Sequence, residues 1–199
     1  MPVLALIGSS GSGKDSVAGE LRKKYDLGII PSNTTRGPRP NEDPATSYYR
    51  FRKTVEEMDR WKAEGDEAWR EPFAGETYVT RLSEMRPAFD SASLSLIILV
   101  PSVILRFQAV MQAHGQDFQL VFLHPKPEGE RIALMHARGD SVESILKRSG
   151  EAGKFWDAMR ATGVGFTQAW NFTTIADLVR QVEATITVRW PGLLPIQLY

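Results

Sequence analysis

Two stretches of the chain are strongly apolar, Val3 to Ile7 without interruption and Leu94 to Val100 with Ser95 as its one polar residue. Runs this short suit strands covered on both faces, as in a parallel sheet; a strand with one wet face would alternate. Phe118 to Leu123 repeats the signal, and Leu27 to Ile30 and Phe166 to Trp170 are weaker versions of it. Between the strands the period becomes helical. Val17, Leu21 and Tyr25 follow the first strand, and Thr54, with Glu57 at capping-box spacing, starts a helix to about Glu64. Pro101 fits the first turn of a helix reaching roughly to His114. Helical spacing returns over Glu128 to Ala137, Val142 to Arg148, Phe155 to Ala161 and about Ile175 to Ile186, while the region around Tyr78 reads as extended. Strands alternating with helices predict an α/β protein with a parallel sheet.

At 199 residues the chain is long enough for one α/β domain with an inserted subdomain and too short for two independent enzymes. Lysine plus arginine equals aspartate plus glutamate at 24 each, so no overall positive field points to a nucleic-acid polymer. Local arginine clusters can still bind small phosphates. The sequence has no cysteine, which excludes disulfides, thiol catalysis and cysteine-ligated zinc and makes the cytoplasm the default compartment. Val3 to Ile7 is too short for a membrane span and follows no basic segment, so neither a signal peptide nor a membrane association is expected. His114, His124 and His136 lack metal-ligand spacing and read as structural or exposed. The tail from Trp190 to Tyr199 carries no recognisable chemistry, and the sequence does not fix an oligomeric state.

Gly8-Ser9-Ser10-Gly11-Ser12-Gly13-Lys14 fits G-x-x-x-x-G-K. In that pattern the backbone N–H groups curl round a β-phosphate and the lysine neutralises β and γ oxygens. A glycine-serine loop alone can be a mere turn; set between an apolar first strand and a helix, and ending in Gly-Lys, it predicts an ATP site. The next residue of the pattern is Ser or Thr, whose hydroxyl binds Mg²⁺; here it is Asp15, followed by Ser16. Either Asp15 holds Mg²⁺ directly or through water, with Ser16 a less well placed substitute, or it caps the helix.

Ser32-Asn-Thr-Thr-Arg36-Gly-Pro-Arg39-Pro-Asn-Glu42, followed by Tyr49-Arg-Phe51, sets two guanidiniums and a phenol in a proline-stiffened stretch. Arginine forks grip phosphate oxygens and tyrosine adds a neutral donor; the other reading is a solvated basic loop. These residues resemble the guanylate kinase family, whose signature runs S-x-T-T-R-x-P-R-x-x-E and then Y-x-F. The resemblance implies a P-loop NTPase three-layer fold with a central parallel sheet, a small inserted acceptor-binding subdomain and a helical lid. It places Arg36, Arg39 and Tyr49 on the acceptor phosphate, Ser32 at the base, and Glu42 as a brace or contact. Gly75-Glu-Thr-Tyr78-Val-Thr80 looks like G-x-x-Y-G-[ST], which puts Tyr78 on the phosphate and Thr80 near guanine O6, with Val79 in place of the glycine. Arg131, Arg138-Gly-Asp-Ser141 and Arg148 are similar to the lid arginines that close over the triphosphate, and Asn171 resembles the adenine-side asparagine.

Two features depart from that family. Acids expected at the end of the central strand are replaced by Pro101-Ser102, and Trp69 occupies a place where a further acid is expected, with Glu67 and Glu71 to either side. Gly-Lys-Asp-Ser without a strand acid resembles ribose 1,5-bisphosphate phosphokinase, although the acceptor loop follows the nucleotide kinases. The expected function is transfer of the γ-phosphoryl group of ATP to GMP or dGMP, in line, through an arginine clamp and with Mg²⁺. No general base is required, because the acceptor phosphate is already an anion. Open beside it are a kinase for another nucleotide or a sugar phosphate, and a silent interaction module. The expected layout is a core of residues 1–31, 81–124 and 162–187, an acceptor subdomain of about 32–80, a lid of about 125–161 and a tail of 188–199.

Overall fold

The computed structural model of the chain describes residues 2–40, 42–73, 75–137, 139–149 and 152–194. Strand β1 (Pro2–Ile7) leads through the glycine-rich loop to helix α1 (Lys14–Lys24) and β2 (Gly28–Ile29). Next come β3 (Ser32–Thr34), β4 (Tyr49–Arg50), α2 (Val55–Ala63), β5 (Glu67–Phe73), β6 (Glu76–Arg81) and α3 (Leu82–Asp90). Then β7 (Ser95–Leu99) passes through one 3-10 turn into α4 (Ile104–Ala113) and β8 (Asp117–His124). Helices α5 (Glu128–Ala137), α6 (Val142–Ser149) and α7 (Ala152–Ala161) precede β9 (Thr167–Trp170) and α8 (Ile175–Arg189).

The central sheet is parallel with strand order β2-β7-β1-β8-β9. Its middle strand explains the uninterrupted apolar run. Val3, Ala5 and Ile7 face one layer with Phe107, Met111 and Phe122, while Leu4 and Leu6 face the other with Val17, Leu21, Leu178 and Val182. With helices on both faces there is no wet side to alternate toward, and each large side chain so buried contributes about 1.5–3 kcal/mol. The result is the three-layer arrangement of a P-loop NTPase.

A second sheet of order β4-β3-β6-β5 is formed by the segment between β2 and α3. Its main pairings, β3 with β6 and β5 with β6, are antiparallel. Trp69 of β5 meets Phe107 of α4 edge to face at 6.0 Å, which fastens this sheet to the core. Thr54 and Glu57 close a capping box on α2, and Thr174 and Asp177 form a second one on α8. Along the tail, the Trp190 indole donates to Asp117 at 2.7 Å and Leu193 and Leu194 pack on the core; residues 195–199 lie outside the described residues. Among the described residues no helix is long and apolar enough to cross a membrane.

Candidate active site

The phosphate loop leaves the end of β1 and turns into α1 with Gly13 as N-cap. Gly11 and Gly13 both have positive φ, and each is closely approached. A Cβ on Gly11 would lie 2.4 Å from Cγ of Arg131, and one on Gly13 would lie 3.0 Å from the Asn171 amide nitrogen. Only glycine combines that backbone conformation with such neighbours. Lys14 folds back over the loop, its Nζ donating to the carbonyls of Gly8 at 2.7 Å and Ser9 at 2.9 Å. Ser9 and Ser12 are buried, whereas Asp15 and Ser16 are exposed. Asp15 stands in the first turn of α1 but supplies no capping hydrogen bond, so the capping alternative for it is not what the structure displays. Asn171 is buried and donates to the Ser12 carbonyl at 3.1 Å. It braces the loop from beneath, a task that its sequence position alone did not reveal.

Across the cavity, Arg36 is buried and holds Glu42 through a two-pronged pair, Nη1 at 2.8 Å and Nη2 at 3.1 Å. Burial opposes both charges, yet the hydrogen bonds and mutual attraction outweigh it. The guanidinium is held above its ordinary pKa and the carboxylate below its own. Glu42 also accepts the Arg39 backbone N–H at 3.2 Å, so one carboxylate shapes both arginine positions. Tyr49 and Tyr78 meet edge to face at 6.0 Å, and burial raises the Tyr49 phenol well above its normal value, first by desolvation and then by the charge of Asp15. Tyr49 is therefore a neutral donor at physiological pH.

Helices α5 and α6 supply Arg131 and Arg148, both buried. Arg131 lies over Gly11 and donates Nη2 to the Ser149 carbonyl at 3.2 Å, while its Nε and Nη1 are buried without a hydrogen-bond partner. Arg138 lies outside the described residues. Asp140 joins the two sides: it accepts Arg39 Nε at 2.9 Å and lies 3.8 Å from Arg148 Nη1. This link spans 101 residues and fastens the segment after α5 to the acceptor loop.

Several of these groups open on one cavity of about 480 Å³, lined by Gly8, Gly11, Lys14, Asp15 and Asn171, by Ser32, Arg36, Arg39, Tyr49, Tyr78 and Thr80, and by Arg148, whereas Arg131, Glu42 and Asp140 are not part of that lining. Its far wall is Trp69, Phe73, Val100, Val103 and Phe155, with Glu71 among them. The alternation of β5 puts Trp69, Glu71 and Phe73 on one face. Of these, the aromatic wall and Asp140 carried no role in the sequence; only the R-G-D-S match hinted at the latter.

The chain is 30% identical over 154 residues to a guanylate kinase of Frankia casuarinae, covering 76% of this chain and 80% of that one. The chain belongs to the guanylate kinase family. A guanylate kinase of Thermobifida fusca is also 30% identical, over 150 residues, 75% of this chain and 74% of that one. No protein-family model matches this sequence. A guanylate kinase structure from Anaplasma phagocytophilum superposes with a TM-score of 0.66 over 98% of this chain and 88% of that one; at 16% identity it speaks to the fold alone. As a member of the guanylate kinase family, the chain is an ATP-dependent nucleoside monophosphate kinase.

Proposed function

We propose that the chain transfers the γ-phosphoryl group of ATP to GMP or dGMP, giving the corresponding diphosphate. The observation that carries this reading is the opening of the phosphate loop and the Arg36, Arg39, Tyr49 and Tyr78 cluster on one cavity. In phosphoryl transfer a protein chiefly aligns the reactants and stabilises charge. Lys14 draws the γ-phosphoryl group, Arg36, Arg39 and the two phenols aim the acceptor oxygen in line with it, and Arg131 and Arg148 close over the charge that develops. Residues of about 32–80 are then the acceptor subdomain and those of about 125–161 the lid, closing together on binding to exclude water.

Asp15 suits Mg²⁺: its carboxylate is exposed and lines the cavity. Among the described residues no cluster of three or more acidic or histidine side chains is present, so the donor set is this carboxylate with phosphate oxygens and waters, a usual one for Mg²⁺. When bound, the ion screens the triphosphate charge. Asp15→Ala is expected to raise the Mg²⁺ concentration for half-maximal rate about tenfold; an unchanged metal dependence would remove Asp15 from this role.

For the base, Glu71 offers a carboxylate that can accept two adjacent N–H groups, as on the guanine edge, with Ser32 and Thr80 supplying hydroxyls. Glu71→Gln is expected to raise the KM for GMP at least about tenfold with little change for ATP. The aromatic wall, and Pro101-Ser102 where strand acids were expected, favour a second reading in which the acceptor is a sugar phosphate. ADP release measured with GMP, dGMP, other nucleoside monophosphates and ribose 1,5-bisphosphate separates these. Turnover of the sugar phosphate and none of GMP would reverse the order, and turnover of nothing would leave an interaction module. A cysteine-free chain acting on free nucleotides suits the cytoplasm.

A further inference from the structure

Behind the acceptor loop lies a second cavity, an open groove of about 710 Å³ whose lining includes Arg22, Arg50, Arg52 and Lys53 and no carboxylate. Two of these cations are engaged, Arg22 with the Thr46 carbonyl at 2.8 Å and Arg50 with Glu84 at 2.9 Å. Arg52 and Lys53 are different: among the described residues only their backbones are tied, Arg52 N–H to the Arg36 carbonyl at 3.1 Å and Lys53 N–H to the Thr34 carbonyl at 3.0 Å.

Arg52 is also the one non-glycine among the described residues with a positive φ, at 54°. Non-glycine residues hold this conformation only against steric strain and keep it where the surroundings impose it, commonly at ligand sites. Here it carries the side chain over the acceptor loop, with Nε 3.9 Å from where a Cβ on Gly37 would stand. Arg52 and Lys53, adjacent cations with no acid in the lining of the groove, repel one another until an anion enters. The opposite wall is stiff and apolar, made by Ile29, Pro31, Pro38 and Phe51.

We propose that this groove is a second anion site, distinct from the transfer cavity, that takes a short phosphate chain such as that of a nucleoside di- or triphosphate. Arg52 and Lys53 hold the phosphates, and the apolar wall accommodates a ring attached to them. The site communicates with catalysis through two shared rings. Tyr49 and Phe51 line the groove, and the Arg36 guanidinium sits 5.3 Å from the first ring and 4.9 Å from the second on the acceptor side. An occupant that shifts the segment bearing Tyr49 to Lys53 therefore alters the grip on the acceptor phosphate. Binding itself does not depend on the acceptor being GMP; only its effect on acceptor KM rests on the proposed kinase reading.

Calorimetric titration of GTP and of inorganic tripolyphosphate, each into the full chain and into the Arg52→Gln/Lys53→Gln variant, tests the site. The full chain should bind one more equivalent than the variant, or bind it at least about tenfold more tightly. The variant should keep its basal turnover. Arg52→Gly, which fits the positive φ while deleting the guanidinium, should weaken the same binding step without loss of thermal stability. Tighter GTP than tripolyphosphate identifies a nucleotide as the source of the phosphates, and the reverse identifies a free polyphosphate. Equal site numbers and affinities in all three proteins, for both ligands, would overturn the proposal whatever the acceptor proves to be.

Discussion

Lys14→Ala is expected to lower kcat about 10²- to 10³-fold while leaving the KM for the acceptor within about twofold. The ammonium is drawn over the loop by the Gly8 and Ser9 carbonyls at 2.7 and 2.9 Å, so it is already held where a phosphate chain would lie. Alanine leaves the backbone N–H groups to bind ATP but removes a charge proposed to follow the γ-phosphoryl group as it moves. Because that charge counts more in the transition state than in the bound ground state, the loss should fall on kcat. Arg36, Arg39, Tyr49 and Tyr78, the proposed acceptor contacts, lie on other segments and should be untouched. Lys14→Arg should not rescue, since a planar fork cannot replace a compact ammonium inside this turn. ADP release in single- and multiple-turnover regimes would check both statements, and turnover within tenfold of the unaltered chain would remove Lys14 from the transfer step.

Much of this arrangement is visible in the sequence because its causes are local. The β1, loop and α1 succession rests on an apolar run, glycines that permit positive φ, and a helical period directly after them. The capping box on α2 is set by two residues three apart, and Val142 to Ser149 and Ile175 to Arg189 begin where their spacing places them. Helix α3 escapes because Pro87 interrupts its pattern; the helix tolerates the proline on an exposed side while Met85, Ala88 and Phe89 are buried. Strand β5 escapes because Glu-Ala-Trp-Arg-Glu-Pro-Phe contains charges on both faces, some of them paired locally, as Arg70 is with Asp59 and Glu67. In the site, residue types were readable but partnerships were not. Nothing local tells that Asp140 takes Arg39, that Asn171 holds Ser12, or that Arg131 covers Gly11, because each joins segments that only the folded chain brings together.

Arg131→Met should separate function from stability. The Arg131 side chain is only 3% exposed, its stem packs on Gly11, and two of its nitrogens are buried without a hydrogen-bond partner. Nearly all buried donors in folded proteins are satisfied, and a charged one left unsatisfied destabilises the chain. Among the described residues Arg131 pairs only with Glu128, whose carboxylate stands 3.8 Å away and is largely exposed, so it offsets little of that penalty. Such an arrangement is expected of a donor set facing an anionic ligand. Methionine fills the space of the stem and removes the unsatisfied N–H groups. The ligand-free variant should therefore melt at the same temperature or up to about 4 °C higher. Its kcat should fall about 10²- to 10³-fold if, as proposed, these donors meet the transferring phosphoryl group. The stabilising effect of added ATP on the melting midpoint should shrink for the same reason. Scanning calorimetry with and without ATP, beside the turnover assay, would read all three changes. A variant that melts well below the unaltered chain and keeps its turnover would make Arg131 a structural residue, and the phosphate loop would then act without a guanidinium above it.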